Sequence, residues 1–256
     1  FHFAAESFAA IDCAGTCRAH CLDIKSFFDR IPHGLLIEQY RRVLGVDRLP
    51  ADHFRVLQSV MKSSRVPLEA LRQHLGISNR AYERMRQRRT PFELGADGLA
   101  GLVRAGLVEA RRTMGVPQGL PLSGLLANIA MLEIDRLLTE RATATGCTYR
   151  RYSDDILIFG PAAAADALAA EARALVEQEG FQVPPKKATT HSFTGPPGGP
   201  LSVDRPLVYL GLEFDGRHVR IKSQTVTRLG KRAKRCVDCM ARAAARSDRS
   251  WIDSGK

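Results

Sequence analysis

The chain has 256 residues, 45% hydrophobic and 25% charged, with a formal net charge of +11. This is the composition of a globular protein with room for one large domain or a core with an appendage. It excludes a membrane span, because the most apolar stretch, 161–175, is broken by Asp166 and Glu171 before reaching the roughly 18–20 residues required. The N-terminus lacks a basic flank followed by an apolar core, so a cytoplasmic protein with no membrane partner is expected. The charge is uneven. Eleven Lys or Arg lie between Arg217 and Arg249 against Asp238 and Asp248, and Arg80 to Arg89 holds five Arg against Glu83. Such patches attract polyanions, nucleic acid first among them; each alone also reads as a solvated helix face. Cys13, Cys17, Cys21 and the Cys236–Cys239 pair lack the matching ligand pair of a zinc site, so reduced thiols are expected.

In chain order, residues 20–24 read as a short buried strand ending at Asp23. Pro32 and Gly34 precede an amphipathic helix with Leu35, Leu36, Tyr40 and Leu44 at helical spacing, and a further helix covers Phe54 to Met61. Residues 66–112 are Arg-rich and helical in pieces, Leu68–Leu75 and Arg80–Arg88, and have the texture of an inserted module. After the turn at 115–119, Leu122 to Leu138 form a long helix whose apolar face is expected to be Leu125, Ile129, Leu132 and Leu137. A hairpin follows, with strands at Thr148–Tyr152 and Ile156–Phe159 around Ser153-Asp154-Asp155. Then come an Ala-rich helix from about Ala162 to Glu179, a Pro/Gly loop at 195–200, and a second hairpin, Val208–Phe214 with Val219–Lys222, closing through Asp215-Gly216. This order implies an α+β fold, an antiparallel sheet with helices packed on one face.

Two acidic sites carry the chemistry. Asp23 ends one apolar strand, and Asp154 and Asp155 sit in a hairpin turn between hydrophobic strands. Carboxylates so placed are costly without compensating cations or donors. Three of them converging would hold magnesium, which takes oxygen ligands, and two such ions suit nucleotidyl transfer. Asp-Asp is also a common turn dipeptide, and alone it would mean little.

The surroundings of these acids resemble the bacterial reverse transcriptases of group II introns and retrons. Cys21-Leu-Asp23-Ile-Lys-Ser-Phe-Phe28 is similar to their first catalytic motif, Gly115-Val-Pro-Gln118-Gly119-Leu-Pro-Leu-Ser123 to their Pro-Gln-Gly motif, and Tyr152-Ser-Asp154-Asp155 to their Tyr-x-Asp-Asp box. Gly180 to Lys187 resembles the downstream lysine motif, and Tyr209-Leu-Gly211 the primer-grip hairpin. The resemblance implies a polymerase palm with partial fingers and the start of a helical thumb. The corresponding divisions are 1–65 (end of fingers and first part of palm), 66–112 (inserted helical module), 113–215 (palm) and 216–256 (start of a basic thumb).

It also implies roles. Asp23, Asp154 and Asp155 would be catalytic and, with Ile24, form the metal set for two Mg2+ ions, Mn2+ being the alternative. Phe28 would block a ribose 2′-hydroxyl, Gln118 and Gly119 would meet the incoming nucleotide, Lys187 the departing pyrophosphate, and Tyr152 the primer terminus. Ile24 to Phe27 would offer backbone N–H groups to the triphosphate. Tyr209, Gly211, Lys231, Arg232, Lys234 and Arg235 would hold nucleic acid. The partners implied are an RNA template or structured RNA, a DNA product and dNTPs, with the oligomeric state open. The span from Asp23 to Gln118 is longer than in group II intron proteins, and Leu71 to Tyr82 resembles a helix-turn-helix. An insertion of this kind, with the Leu-Pro-Leu-Ser variant, looks more like the antiphage-defence reverse transcriptases. The alternatives are a retroelement enzyme, a viral-type RNA polymerase (against which Phe28 and Tyr152 argue) and a catalytically idle nucleic-acid-binding scaffold.

Overall fold

The computed structural model describes residues 2–109 and 114–253, with side chains as far as Ala241. In chain order the elements are α1 (His2–Ala14), β1 (Cys17–Asp23), α2 (Phe27–Arg30), α3 (His33–Leu44), α4 (Ala51–Met61), α5 (Leu68–His74), α6 (Asn79–Arg88) and α7 (Gly98–Arg104). There follow α8 (Pro121–Ala144), β2 (Thr148–Tyr152), β3 (Asp155–Gly160), α9 (Ala162–Gln178), a 3-10 turn (Pro185–Lys187), β4 (Thr189–Thr194), β5 (Ser202–Val203), β6 (Leu207–Tyr209), β7 (Leu212–Phe214), β8 (Val219–Ile221) and α10 (Ser223–Asp253). They form two compact units: Phe1–Ile24, Leu137–Ala174 and Val183–Lys256 make one, and Lys25–Arg136 with Leu175–Gln182 the other.

The first unit is built on a five-stranded antiparallel sheet in the order β2-β3-β1-β4-β5. Its period of two sorts the side chains. Arg18 and His20 of β1 point to the face where α9 lies, and both hydrogen-bond Asp166, His20 at 2.8 Å. Cys17 and Ala19, with Leu157, Phe159 and Phe193 of the neighbouring strands, point the other way. There they pack with Ala4, Phe8 and Ile11 of α1 and with Leu207, Tyr209, Leu212 and Phe214 of the three-stranded sheet β6-β7-β8. The helix layer expected on one face is therefore matched on the other by α1 and a second sheet. That second sheet also differs from the expected hairpin. The run 207–214 is broken at Leu210 and Gly211, both at positive φ (49° and 80°), which folds β6 back on β7 and leaves β7 to pair with β8.

The second unit holds α2 to α7 and most of α8. Gly45, at φ 65°, ends α3 by donating its N–H to the carbonyls of Arg41 and Arg42, the usual left-handed helix stop. Between α3 and α4 the Tyr40 hydroxyl meets His53 Nδ1 at 2.9 Å. In the 66–109 stretch the hub is a charged residue. Arg72, 8% exposed, pairs with Glu69, hydrogen-bonds Asn79, and lies 5.1 Å over the Tyr82 ring. Ser78 caps α6 by accepting from the Ala81 N–H. Residues 110–112, the end of the expected insertion, lie outside the described residues.

Helix α8 corrects one expectation. Of the expected face Ile129 is buried, but Leu125 and Leu132 are 56% and 43% exposed; the buried residues are Ser123, Leu126, Ala127, Ile129, Ala130, Met131, Ile134, Leu138 and Ala142. The buried face mixes aliphatics with small residues (Ser123, Ala127, Ala130 and Ala142), so apolar size alone does not mark it.

Candidate functional site

Strand register brings the first two acids together. Asp23 and Asp155 are direct partners across β1 and β3, and Ile24 N–H donates to the Asp154 carbonyl at 3.0 Å. Directly opposed like charges destabilise a sheet, so this pairing calls for a compensating cation. The β2–β3 turn is two residues, Ser153 and Asp154, with Ser153 at φ 56° and its carbonyl held by Arg151 at 2.9 Å. Asp155 already belongs to the strand. Burial, then the charges of Asp154 and Asp23, push the Asp155 carboxyl up to about 6, with Lys187 pulling the other way. The Lys187 ammonium, at the end of the 3-10 turn, donates to Asp23 Oδ1; that bond raises its own affinity for the proton.

Tyr152 is 55% exposed, with its ring 5.6 Å from that of Phe3. Phe3 was not marked from the sequence; the signal was there in Phe3, Ser7, Phe8 and Ile11, which share helical spacing on α1. Cys21, beside these acids on β1, has its thiol pushed up to about 12 by burial.

Two expectations are corrected. Tyr209 is 2% exposed and part of the core, its hydroxyl donating to the Asp155 carbonyl at 3.5 Å and its ionisation suppressed mainly by burial. Its buried side chain lies against the acidic strand and offers no surface of its own; the neighbouring Gly211, at φ 80° with open space around it, is the accessible part of that turn. The N–H groups of Ile24 and Lys25 are not free for a triphosphate, because they bond the carbonyls of Asp154 and Gln182. A cation ligand from Ile24 can only be its carbonyl oxygen. Lys231, Arg232, Lys234 and Arg235 lie on α10, exposed throughout its described side chains.

In the second unit, Phe28 and the Gln118 motif are tied through the backbone. Val116 N–H donates to the Phe28 carbonyl at 2.8 Å, Gly115 N–H to the Ile31 carbonyl at 2.7 Å, and His33 Nε2 to the Gly115 carbonyl at 2.9 Å. Phe28 is half-buried, edge-on to the buried Phe27 with centroids 5.5 Å apart. Gln118 and Gly119 are exposed, and Gly119 sits at φ 94° with open space beside it.

Among the described residues, no group of three or more His, Cys, Asp or Glu side chains is closed around a cation position. The donor set nonetheless fits magnesium in kind. Asp23, Asp154 and Asp155 offer hard oxygens, and Asp155 is held partly buried beside the like charges of Asp154 and Asp23.

Residues 101–214 match the sequence model of the family described as reverse transcriptase (RNA-dependent DNA polymerase). That range takes in Gln118, Tyr152, Asp154, Asp155, Lys187 and Tyr209, and leaves out Asp23 and Phe28. The chain is similar to the Retron Mx65 reverse transcriptase of Myxococcus xanthus, 40% identical over 67 residues, which is 26% of this chain and 16% of that protein. Its fold is similar to telomerase from Candida albicans, solved with a fragment of telomeric RNA (TM-score 0.51, 14% identity, 86% of this chain and 34% of that one). It is likewise similar to apo telomerase from Candida tropicalis (TM-score 0.51, 14% identity, 87% and 36%). The chain thus spans about a sixth of the retron protein and a third of the telomerases. On a mixed helical and antiparallel-sheet fold, residues 101–214 thus carry the sequence pattern of the reverse transcriptase family, and the chain is similar over 67 residues to a bacterial retron reverse transcriptase.

Proposed function

We propose that this chain is the catalytic palm of an RNA-directed DNA polymerase that adds deoxynucleotides to a DNA 3′ end. The observation that carries the reading is the pairing of Asp23 with Asp155, beside Asp154, with Lys187 on Asp23. Asp23, Asp154 and Asp155, with the Ile24 carbonyl, would hold two Mg2+ ions, or Mn2+ in their place. Such ions supply the charge that activates an attacking hydroxyl and stabilises a leaving oxygen.

The protein's own groups do the rest. Lys187 exchanges its contact with Asp23 for the departing pyrophosphate, giving it positive charge or a proton. Phe28 rejects a ribose 2′-hydroxyl by contact, which selects dNTPs. Gln118 meets the incoming sugar or base, and Gly119 lets the backbone come close. Tyr152 packs against the primer terminus. The Gly211 turn and Lys231, Arg232, Lys234 and Arg235 of α10 hold phosphates of a template–primer hybrid, which is recognised by shape and charge.

The setting we infer is cytoplasmic antiphage defence in a bacterium, with a structured RNA as partner; the long span between Asp23 and Gln118 and the Leu-Pro-Leu-Ser variant support it. A retroelement enzyme is the second reading, favoured by the retron relative. The test offers labelled dNTPs and NTPs to the protein on a primed RNA template, with and without Asp154→Ala. Incorporation of dNTPs alone, lost in the variant, is expected. Incorporation of NTPs would make it an RNA polymerase, and no incorporation by the parent protein would leave an idle scaffold.

A further inference from the structure

A cavity of about 450 Å³ opens between α3 and α4 in the second unit, on residues that take no part in the catalytic proposal. Its walls carry three guanidiniums, Arg41, Arg48 and Arg55, and three apolar side chains, Ile37, Leu49 and Phe54. Asp47 is the one carboxylate on the wall. Arg41 has its Nε buried without a hydrogen-bond partner. Among the described residues no ion pair or side-chain hydrogen bond occupies Arg48 or Arg55. The adjoining cavity over Gly34 and Gly45 differs, because its Arg42 is engaged by Glu38 at 2.6 Å and Glu133 at 3.6 Å.

Three cations around one acid, with an orphaned buried donor, form a surface built for an anion, since a buried unpaired N–H costs free energy until a partner arrives. Guanidinium forks favour phosphate over a point-charge contact. Phe54, 39% exposed, adds a ring face on which a base can stack. The volume lies in the range of small-ligand sites. The Tyr40–His53 hydrogen bond joins the two helices that wall the cavity.

We propose that this cavity holds one nucleotide of a single-stranded nucleic acid, its base against Phe54 and its phosphate among Arg41, Arg48 and Arg55. An acidic peptide would meet the guanidiniums but leave the ring without a planar partner. The site is separate from the polymerase reading and stands without it.

The test uses the full chain and short single strands carrying a photoreactive pyrimidine, RNA in one arm and DNA in the other, with crosslinks mapped by mass spectrometry. A crosslink at Phe54 is expected in at least one arm, and the arm that gives it names the source. The pair Arg48→Glu and Arg55→Glu, both on exposed side chains, should cut that crosslink about tenfold. Arg48→Ala with Arg55→Ala should lower the salt slope of binding by about one per arginine. Arg48→Lys with Arg55→Lys should restore charge and part of the binding. Asp154→Ala should leave the crosslink intact, which separates this site from the catalytic proposal. No crosslink within residues 37–55 in either arm overturns the proposal. A crosslink indifferent to charge reversal, or full displacement by polyglutamate, does the same.

Discussion

The ammonium of Lys187 donates to Oδ1 of Asp23, a carboxylate 164 positions earlier in the chain. In the absence of a divalent ion, this lysine is a cation that offsets the repulsion among Asp23, Asp154 and Asp155. Lys187→Ala is therefore expected to melt a few degrees lower than the parent without metal, and to gain more from millimolar magnesium. Its turnover should fall by about 10²-fold if Lys187 also serves the leaving group. Thermal melts with and without magnesium check the first part, and an unchanged metal response would refute it.

Phe28 offers a test of sugar selection. Its ring rests edge-on against Phe27, which itself packs on Phe181, so truncation leaves the buried pair in place. Phe28→Ala should lower the preference for dGTP over GTP by tenfold or more, on the order of 1–3 kcal/mol. The kcat/KM ratio of the two substrates measures it, and an unchanged ratio would remove Phe28 from this role.

Gly115 joins the Gln118 motif to the chain after Asp23. It sits at φ 87°, and a Cβ there would lie 2.6 Å from the Asp29 carbonyl oxygen. Backbone must move to admit it. Gly115→Ala is expected to cost roughly 1–3 kcal/mol or more in urea unfolding and to impair nucleotide incorporation together with stability.

His191 sets a pH dependence of stability. It is 3% exposed, its Nδ1–H donates to the Arg205 carbonyl at 3.0 Å, and its Nε2 lies 2.9 Å from the Thr189 hydroxyl. Burial is the chief cause that lowers its pKa below 6.5. Below that pH the unfolded chain takes up a proton that the folded imidazole refuses. The contribution of His191 is thus complete above about pH 6.5 and is lost as pH falls through the folded value. Urea midpoints should drop between about pH 7.5 and about pH 5.5, and His191→Asn should shrink the drop.

The acidic hairpin was legible because its signals are local: alternating strands on each side of a turn that only small or acidic residues close. Asp23 was legible as the end of an apolar strand. What joins them, the β1–β3 register, is a long-range pairing that no local pattern contains. Helix α8 shows the limit from another side. Leu125 and Leu132 are among its larger aliphatics, yet they are exposed while Leu126, Ile129, Met131 and Ala130 are buried, because the partner surface decides which face is covered. Strand β4 went unread although His191 and Phe193 alternate with more exposed neighbours, since polar Thr and Ser mask the period. Tyr209 was marked for nucleic acid because Tyr209-Leu-Gly211 resembles a primer-grip hairpin. Its burial under the acidic strand depends on β6 folding back at Leu210–Gly211.

The central claim is that Asp23, Asp154 and Asp155 share divalent ions. Its most direct test is replacement of magnesium by Fe2+ with ascorbate and peroxide, which cuts the backbone beside the bound ion. Two clusters of cuts are expected, around Asp23 and around Asp154–Asp155, suppressed by excess magnesium and absent in Asp154→Ala. Cuts confined to other segments, or unchanged in the variant, would contradict it.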